Sequence, residues 1–226
     1  MTRNTAGWRV AIGLGSNMPG DQGSPEAMIR AAARAVLDLP GTQLLAASQV
    51  YATPPWGVVT QDEFRNAVIL VTTHLEPLEL LHACQNIENE GGRVRLQHWG
   101  PRTVDLDLLA AYDAATGEPV ISGGCWGEEL ILPHPYTTAR GFVLVPWAEI
   151  APEETLPRVP GSPAGPAATA TVGEWLAQLP QEDTAGITQL GAGALLADPA
   201  APGEAGVDVL KNENNEPRKR DEPWVD

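Results

Sequence analysis

The stretch Gly91-Gly-Arg93-Val-Arg95-Leu-Gln-His98-Trp99-Gly-Pro101-Arg102-Thr-Val-Asp105-Leu-Asp107-Leu-Leu109 decides the fold. Thr103–Leu109 shows strict alternation, so it reads as a strand of side-chain period two. Val104, Leu106 and Leu108 point to one face, toward helices. Asp105 and Asp107 point to the other, about 6.5–7 Å apart along the strand. Upstream, Gly91-Gly92 ends a helix that Pro77 opens and that Leu78, Leu81, Cys84 and Ile87 line on its inner face. Before that helix lies a β-branched run, Asn66–Thr73, which is a strand, and before it another strand at Thr42–Tyr51. Ser24 followed by Pro25 is an N-cap with proline at the first helical position, and the helix runs to about Leu39, where Pro40-Gly41 stops it. Trp8–Leu14 is the first strand, ending in a turn at Gly13–Asn17. The order β-α-β-β-α-β predicts an α+β, ferredoxin-like sandwich: an antiparallel sheet with helices on one face. A short strand at Leu130–Leu132 and a helix after Arg140, burying Val143, Leu144 and Trp147, extend it.

Composition sets the limits around this core. The 226 residues carry a net charge of −15, which argues against nucleic-acid or anionic-membrane binding, since both need clustered positive charge. The only lysines are Lys211 and Lys219. A phosphate site in the first 150 residues must therefore use arginine, histidine, metal or backbone amides. Cys84 and Cys125 form no disulfide framework and no C-x-x-C metal site, and read as reduced thiols. No signal peptide is visible, and no apolar run approaches the ~20 residues of a membrane span, so a soluble, cytoplasmic protein is expected. After residue 150 the composition shifts: 31 of the 76 residues are Ala, Pro or Gly, with 13 acids against 5 bases. Only Thr171–Leu179 looks structured there, with Val172, Trp175, Leu176 and Leu179 at helical spacing. The expectation is a domain over 1–180 and an acidic, Ala/Gly/Pro-rich, disordered tail over 181–226.

Two constellations carry chemistry. Asp105 and Asp107 repel each other unless a cation lies between them, and Mg²⁺ takes one or two carboxylates plus waters and phosphates. Arg93, Arg95 and Arg102 stand just upstream, and arginine grips phosphate bidentately. Paired aspartates beside arginines are the inventory of phosphoryl transfer. On the residues alone, a solvated acidic edge strand and a solvated basic loop remain open readings. The second constellation is Trp56 in the rigid Thr53-Pro54-Pro55-Trp56-Gly57 loop, Phe64, Trp99, Phe142 and Asn66. Flat aromatics suit a flat heterocycle and Asn66 can pair with a ring amide edge; for any single aromatic core packing is the better explanation, and for the set the two readings stand even. His134, held between Pro133 and Pro135, reads as either a structural or a phosphate-facing histidine. Phosphate-loop and protein-kinase signatures are absent, and Gly13-Leu-Gly15 fails the dinucleotide fingerprint because Met18 occupies the third glycine position. The element order also serves RNA-binding modules, but those carry aromatics where this strand carries aspartates. A non-catalytic heterocycle or nucleotide binder would be expected to lose both aspartates, and both are present.

Together these segments resemble the 6-hydroxymethyl-7,8-dihydropterin pyrophosphokinase family of folate biosynthesis, from roughly Val10 to Pro152. The resemblance rests on Ile12-Gly-Leu-Gly-Ser-Asn17, Tyr51-Ala-Thr-Pro-Pro-Trp-Gly57, Phe64-Arg-Asn66, Gly92-Arg-Val-Arg95, Trp99-Gly-Pro-Arg-Thr-Val-Asp-Leu-Asp107, Leu132-Pro-His-Pro135 and Arg140-Gly-Phe142. It implies transfer of the β,γ-pyrophosphoryl group of ATP to the pterin hydroxymethyl oxygen, with AMP leaving, by a monomer acting on ATP and pterin alone. It further implies two Mg²⁺ ions on Asp105 and Asp107, with Arg93, Arg95, Arg102 and Asp107 as the catalytic set. Gln85, Glu88, His98, Trp99, Leu108, His134 and Arg140 are implied on the nucleotide side. Thr53, Pro54, Trp56, Phe64, Asn66, Trp99 and Phe142 are implied around the pterin. Many members place an arginine just before the tryptophan, where this chain has His98.

Overall fold

The computed structural model describes residues 6–55, 62–91, 103–191 and 195–196. Its strands are β1 (Trp8–Ser16), β2 (Gln43–Ala47), β3 (Tyr51–Thr53), β4 (Phe64–Thr73), β5 (Asp105–Asp113), β6 (Thr155–Arg158), β7 (Ala168–Thr171) and β8 (Thr188–Gln189). Its helices are α1 (Pro25–Leu37), α2 (Pro77–Glu90), α3 (Gly141–Ile150), α4 (Val172–Gln178) and α5 (Gln181–Thr184). The main sheet has the order β5-β1-β4-β3-β8, with β2 also on β4, and all its pairings are antiparallel. The α+β, ferredoxin-like core is as the element order predicts.

The local chemistry explains the boundaries. Ser24 Oγ accepts the Ala27 N–H at 3.1 Å, satisfying one orphan amide at the start of α1. A reciprocal pair between Glu76 and Glu79 caps α2. The expected strand Thr42–Tyr51 is two strands. Between them Ser48 stands in for a ladder residue: its N–H donates to Val68 O and its Oγ accepts the Val68 N–H, both at 2.9 Å. Leu130–Leu132 is not a strand. Its backbone is held by Ser122, whose N–H bonds Leu132 O and whose Oγ accepts the Leu132 N–H.

The helices do not share one face, which corrects the sequence expectation. α1 and α2 pack on Val10, Ile12, Leu14, Leu106 and Leu108. On the opposite face Val143, Leu144 and Trp147 of α3, with Val172 and Trp175 of α4, cover Ala11, Val68, Leu70, Leu109, Ala110 and Tyr112. The reason is that β1 and β4 lie mid-sheet and are apolar on both faces, so both need cover. The hairpin β6–β7, most of it in a stretch whose composition gives no sign of structure, closes this second core by placing Leu156 beneath Trp175, whose indole N–H donates to Leu156 O at 2.7 Å.

A register break sorts the faces of β5. Ile12 pairs with Leu108 but Ala11 pairs with Ala110, so Leu109 is a β-bulge. Leu108 therefore faces the α1–α2 core and Leu109 the other. The bulge carbonyl accepts the His134 N–H at 2.8 Å, docking the Pro-rich loop beside the carboxylates.

Residue 181 does not end the structure. Thr188–Gln189 pairs with Tyr51–Ala52, the Leu190 N–H donates to Val50 O at 2.9 Å, and Leu195 is fully buried in the first core. The chain beyond 196 lies outside the described residues.

Candidate active site

Strand register places the candidate residues on one face. Asp105 pairs with Gly15 and Gly15 with Asn66; Asp107 pairs with Gly13 and Gly13 with Val68. Asn66 pairs in turn with Tyr51, and Phe64 with Thr53. Directly opposed residues point the same way, so Asp105, Asp107, Asn66, Phe64 and Thr53 share the side that faces α3. The shallow, solvent-open cleft there is lined by Gly13, Gly15, Asn66, Asp105, Asp107 and Phe142 among others.

The two glycines, expected in a turn, lie within β1 and line the cleft. A Cβ on Gly13 would sit 3.2 Å from Leu109 Cδ2, and one on Gly15 would sit 3.0 Å from Asn66 Oδ1. Glycine in a strand interior weakens it and marks a close approach. Two glycines at i and i+2, hence on one face, were the available signal.

Asn66 is buried and its orientation is set by Thr53: Nδ2 donates to Thr53 Oγ1 at 2.7 Å. This leaves Oδ1 and the second Nδ2 hydrogen for a ligand. Phe142 enters from α3. Arg140, immediately before it, is buried and lies with its guanidinium 4.8 Å from the Tyr136 ring and 5.5 Å from the Phe142 ring. Tyr51 donates to Glu149 Oε2 at 3.0 Å, tying β3 to α3; burial and the Glu149 carboxylate push the Tyr51 phenol up to about 12.

His134 joins the carboxylates. Burial holds its imidazole below the ordinary 6.5, and the nearby Arg140 charge acts in the same direction against the pull of Asp107. Nδ1 accepts the Tyr136 N–H at 3.3 Å, so in the neutral ring Nε2 carries the proton. Burial, with the negative charges of Glu88 and Asp107, pushes the Cys84 thiol up to about 12, so it is inert at neutral pH.

Other expected residues lie elsewhere. Leu108 is buried among the α1–α2 core residues, so its side chain does not line the cleft. Glu88 is also buried, and its Oε1 accepts the Leu106 N–H at 2.7 Å along β5, the outer strand of the sheet. Gln85 sits on the same helix, half-buried. Pro54 is exposed at the end of β3. Trp56, Arg93, Arg95, His98, Trp99 and Arg102 lie outside the described residues.

The donor set suits a hard divalent cation such as Mg²⁺: two carboxylates on one strand face are hard oxygen ligands, and the glycines opposite them leave room for waters and phosphate oxygens. Among the described residues no group of three or more His, Cys, Asp or Glu side chains could hold an ion.

The chain is similar to known proteins. Residues 11–152 match the family described as 7,8-dihydro-6-hydroxymethylpterin-pyrophosphokinase (HPPK). A 2-amino-4-hydroxy-6-hydroxymethyldihydropteridine pyrophosphokinase from Methylorubrum extorquens is 43% identical over 145 residues, 64% of this chain and 84% of its own. One from Mycobacterium tuberculosis is 40% identical over 149 residues, 66% of this chain and 75% of its own. One from Pseudomonas aeruginosa is 42% identical over 155 residues, covering 66% and 84%. A crystal structure of Plasmodium falciparum HPPK-DHPS superimposes with a TM-score of 0.51 at 13% identity, over 76% of this chain and 45% of that one, and shows the shared fold.

Proposed function

The chain belongs to the 7,8-dihydro-6-hydroxymethylpterin-pyrophosphokinase family, and from that premise we propose that ATP and the pterin meet over the sheet face that carries Asp105, Asp107 and Asn66. The reaction is the family's: a pyrophosphoryl group passes to the hydroxymethyl oxygen of 6-hydroxymethyl-7,8-dihydropterin in folate biosynthesis. The observation that carries the arrangement is the register Asp105–Gly15–Asn66, which puts carboxylates and a ring-reading amide on one face, one strand apart.

The pterin lies at the Asn66 end. The Asn66 amide, held by Thr53, pairs with the ring's amide edge, while Phe142, Phe64, Pro54, Trp56 and Trp99 enclose its faces. The hydroxymethyl group then points toward Asp105 and Asp107. ATP lies at the carboxylate end. Arg93, Arg95, Arg102 and Arg140 take the β- and γ-phosphates, and His98 and Trp99 close over them. His134 donates from Nε2. Glu88 and Gln85 approach from α2, and Leu108 contributes only backbone. Asp105 and Asp107 would hold two Mg²⁺ ions, which supply positive charge against the phosphates. The pterin hydroxyl attacks the β-phosphorus in line with the α–β bridging oxygen; the new O–P bond forms as that bridge breaks, and AMP leaves. Burial of Arg140 removes water that would otherwise screen its charge. We place the reaction in the cytoplasm and in a monomer. Chromatography of the spent reaction tests the assignment. AMP should appear in step with pterin consumption, without free pyrophosphate. Stoichiometric ADP would overturn it.

A further inference from the structure

We propose that the segment Gln181–Gln189 is a positioning strap that sets the width of the pterin end of the site. The proposal rests on the placement of the pterin at Thr53, Asn66 and Phe142. The strap grips both walls of that end. At one wall, the Asp183 carbonyl rests on Gly141, the first residue of α3, between Arg140 and Phe142. A Cβ on Gly141 would lie 2.0 Å from Asp183 O, so backbone touches backbone, and Ile187 Cδ1 would lie 3.2 Å from the same point. At the other wall, Gly186 turns through φ +76 directly over Pro54; a Cβ there would meet Pro54 Cγ at 2.9 Å. That positive φ makes glycine the residue that fits.

The strap also completes β3. This strand has three residues, Tyr51–Thr53, and β4 covers only one of its edges. β8 pairs with Tyr51 and Ala52 on the other edge, immediately before Thr53 and Pro54. A three-residue edge strand frays easily, and here fraying would free the Thr53 hydroxyl that orients Asn66. The segment thus acts on the pterin through Pro54, Thr53 and the start of α3. Pro54 and Thr53 belong to the pterin end, while Gly141 also adjoins Arg140 on the phosphate side, so the larger effect should fall on the pterin.

The test uses the full chain with Gly186→Val, Gly186→Ala, Ile187→Ala and Asn66→Ala. Fluorescence titration reads pterin binding, steady-state kinetics reads both KM values, and thermal melting reads stability. Gly186→Val and Ile187→Ala should raise the pterin Kd and KM roughly tenfold while the ATP KM stays within about twofold, because small misplacements of a positioning group cost that much or more. Gly186→Ala, with one carbon on the same turn, should give a smaller shift in the same direction and keeps the test open if the valine variant does not fold. Unchanged pterin constants in the strap variants would overturn the proposal. So would pterin and ATP constants that rise together in proportion to a lost Tm, which is the mark of a purely structural element. Asn66→Ala separates the two readings: if it weakens pterin binding while the strap variants do not, the strap fails and the pterin placement stands. If Asn66→Ala is silent too, the placement itself fails.

Discussion

Gly15→Ala separates function from stability at a single carbon. Gly15 lies inside β1 with ordinary strand geometry, opposite Asp105 on one side and Asn66 on the other. Alanine is the better strand residue, and relief of glycine's extra chain entropy is worth roughly 0.5–1 kcal/mol in favour of folding. The added Cβ would lie 3.0 Å from Asn66 Oδ1, closer than such atoms comfortably approach. Asn66 must give by a few tenths of an ångström, and it cannot do so without loosening its 2.7 Å bond to Thr53. The loosened bond costs folding up to about 1 kcal/mol and offsets the entropy gain, so the Tm should stay close to that of the parent. Misalignment with the pterin edge loses one or two hydrogen bonds of about 1 kcal/mol each, which predicts a roughly 5- to 30-fold weaker pterin Kd. Pterin fluorescence and thermal melting on the same preparation read both. Unchanged pterin affinity would refute the face assignment. A lower Tm with proportionate loss of both substrates would refute the claim that the glycine serves the cleft rather than the sheet.

Three further outcomes are expected. Asp105→Asn or Asp107→Asn should lower kcat at least ~10²-fold at saturating Mg²⁺, because charge stabilisation of this kind supplies several kcal/mol; near-normal turnover would remove both from the metal site. Burial lowers the His134 pKa in the folded state, so the unfolded chain binds the proton more readily; stability contributed by neutral His134 is full above about pH 6.5 and is lost as pH falls below it. His134→Gln should flatten the Tm-against-pH curve in that window, and an unchanged slope would show that other groups set it. Truncation after Pro180 should lower the Tm measurably, since it removes fully buried Leu195 and the β8 pairing, and one buried leucine is worth roughly 1.5–3 kcal/mol; an unchanged Tm would mean the segment does not dock in solution.

Much of the fold was legible because two periodicities dominate it. Ser24-Pro25 and Pro77 marked helix starts to the residue, and alternation in Thr103–Leu109 correctly sent Val104, Leu106 and Leu108 to the α1–α2 core. What failed had physical causes that local sequence does not carry. Ser48 looks like any strand residue, yet its hydroxyl replaces a ladder bond and splits the strand. The 181–196 segment is poor in large apolar residues, so composition read it as disordered; its order comes from backbone pairing with β3 and from one leucine, Leu195, reaching the core. Both faces of β1 and β4 are apolar, and that two-sided pattern was the overlooked sign of cover on both sides.

The candidate site was legible as a set of residue types but not as a surface, and the bulge at Leu109 explains the difference. Period two holds from Asp105 to Leu108, so both carboxylates face α3. Had it continued, Ala110 would fall on the α1–α2 side and Ala111 beneath α3; the bulge reverses them, and Ala110 and Tyr112 join the α3 core while Ala111 joins the other. The same irregularity leaves the Leu109 carbonyl to accept the His134 N–H. One inserted residue therefore does two things at once. It keeps the far half of β5 apolar under α3, which anchors Arg140 and Phe142, and it draws His134 to the end of the strand where Asp107 stands. A site that joins a strand face, a proline-flanked loop and a helix start is assembled by that register break, which no motif spacing along the chain encodes.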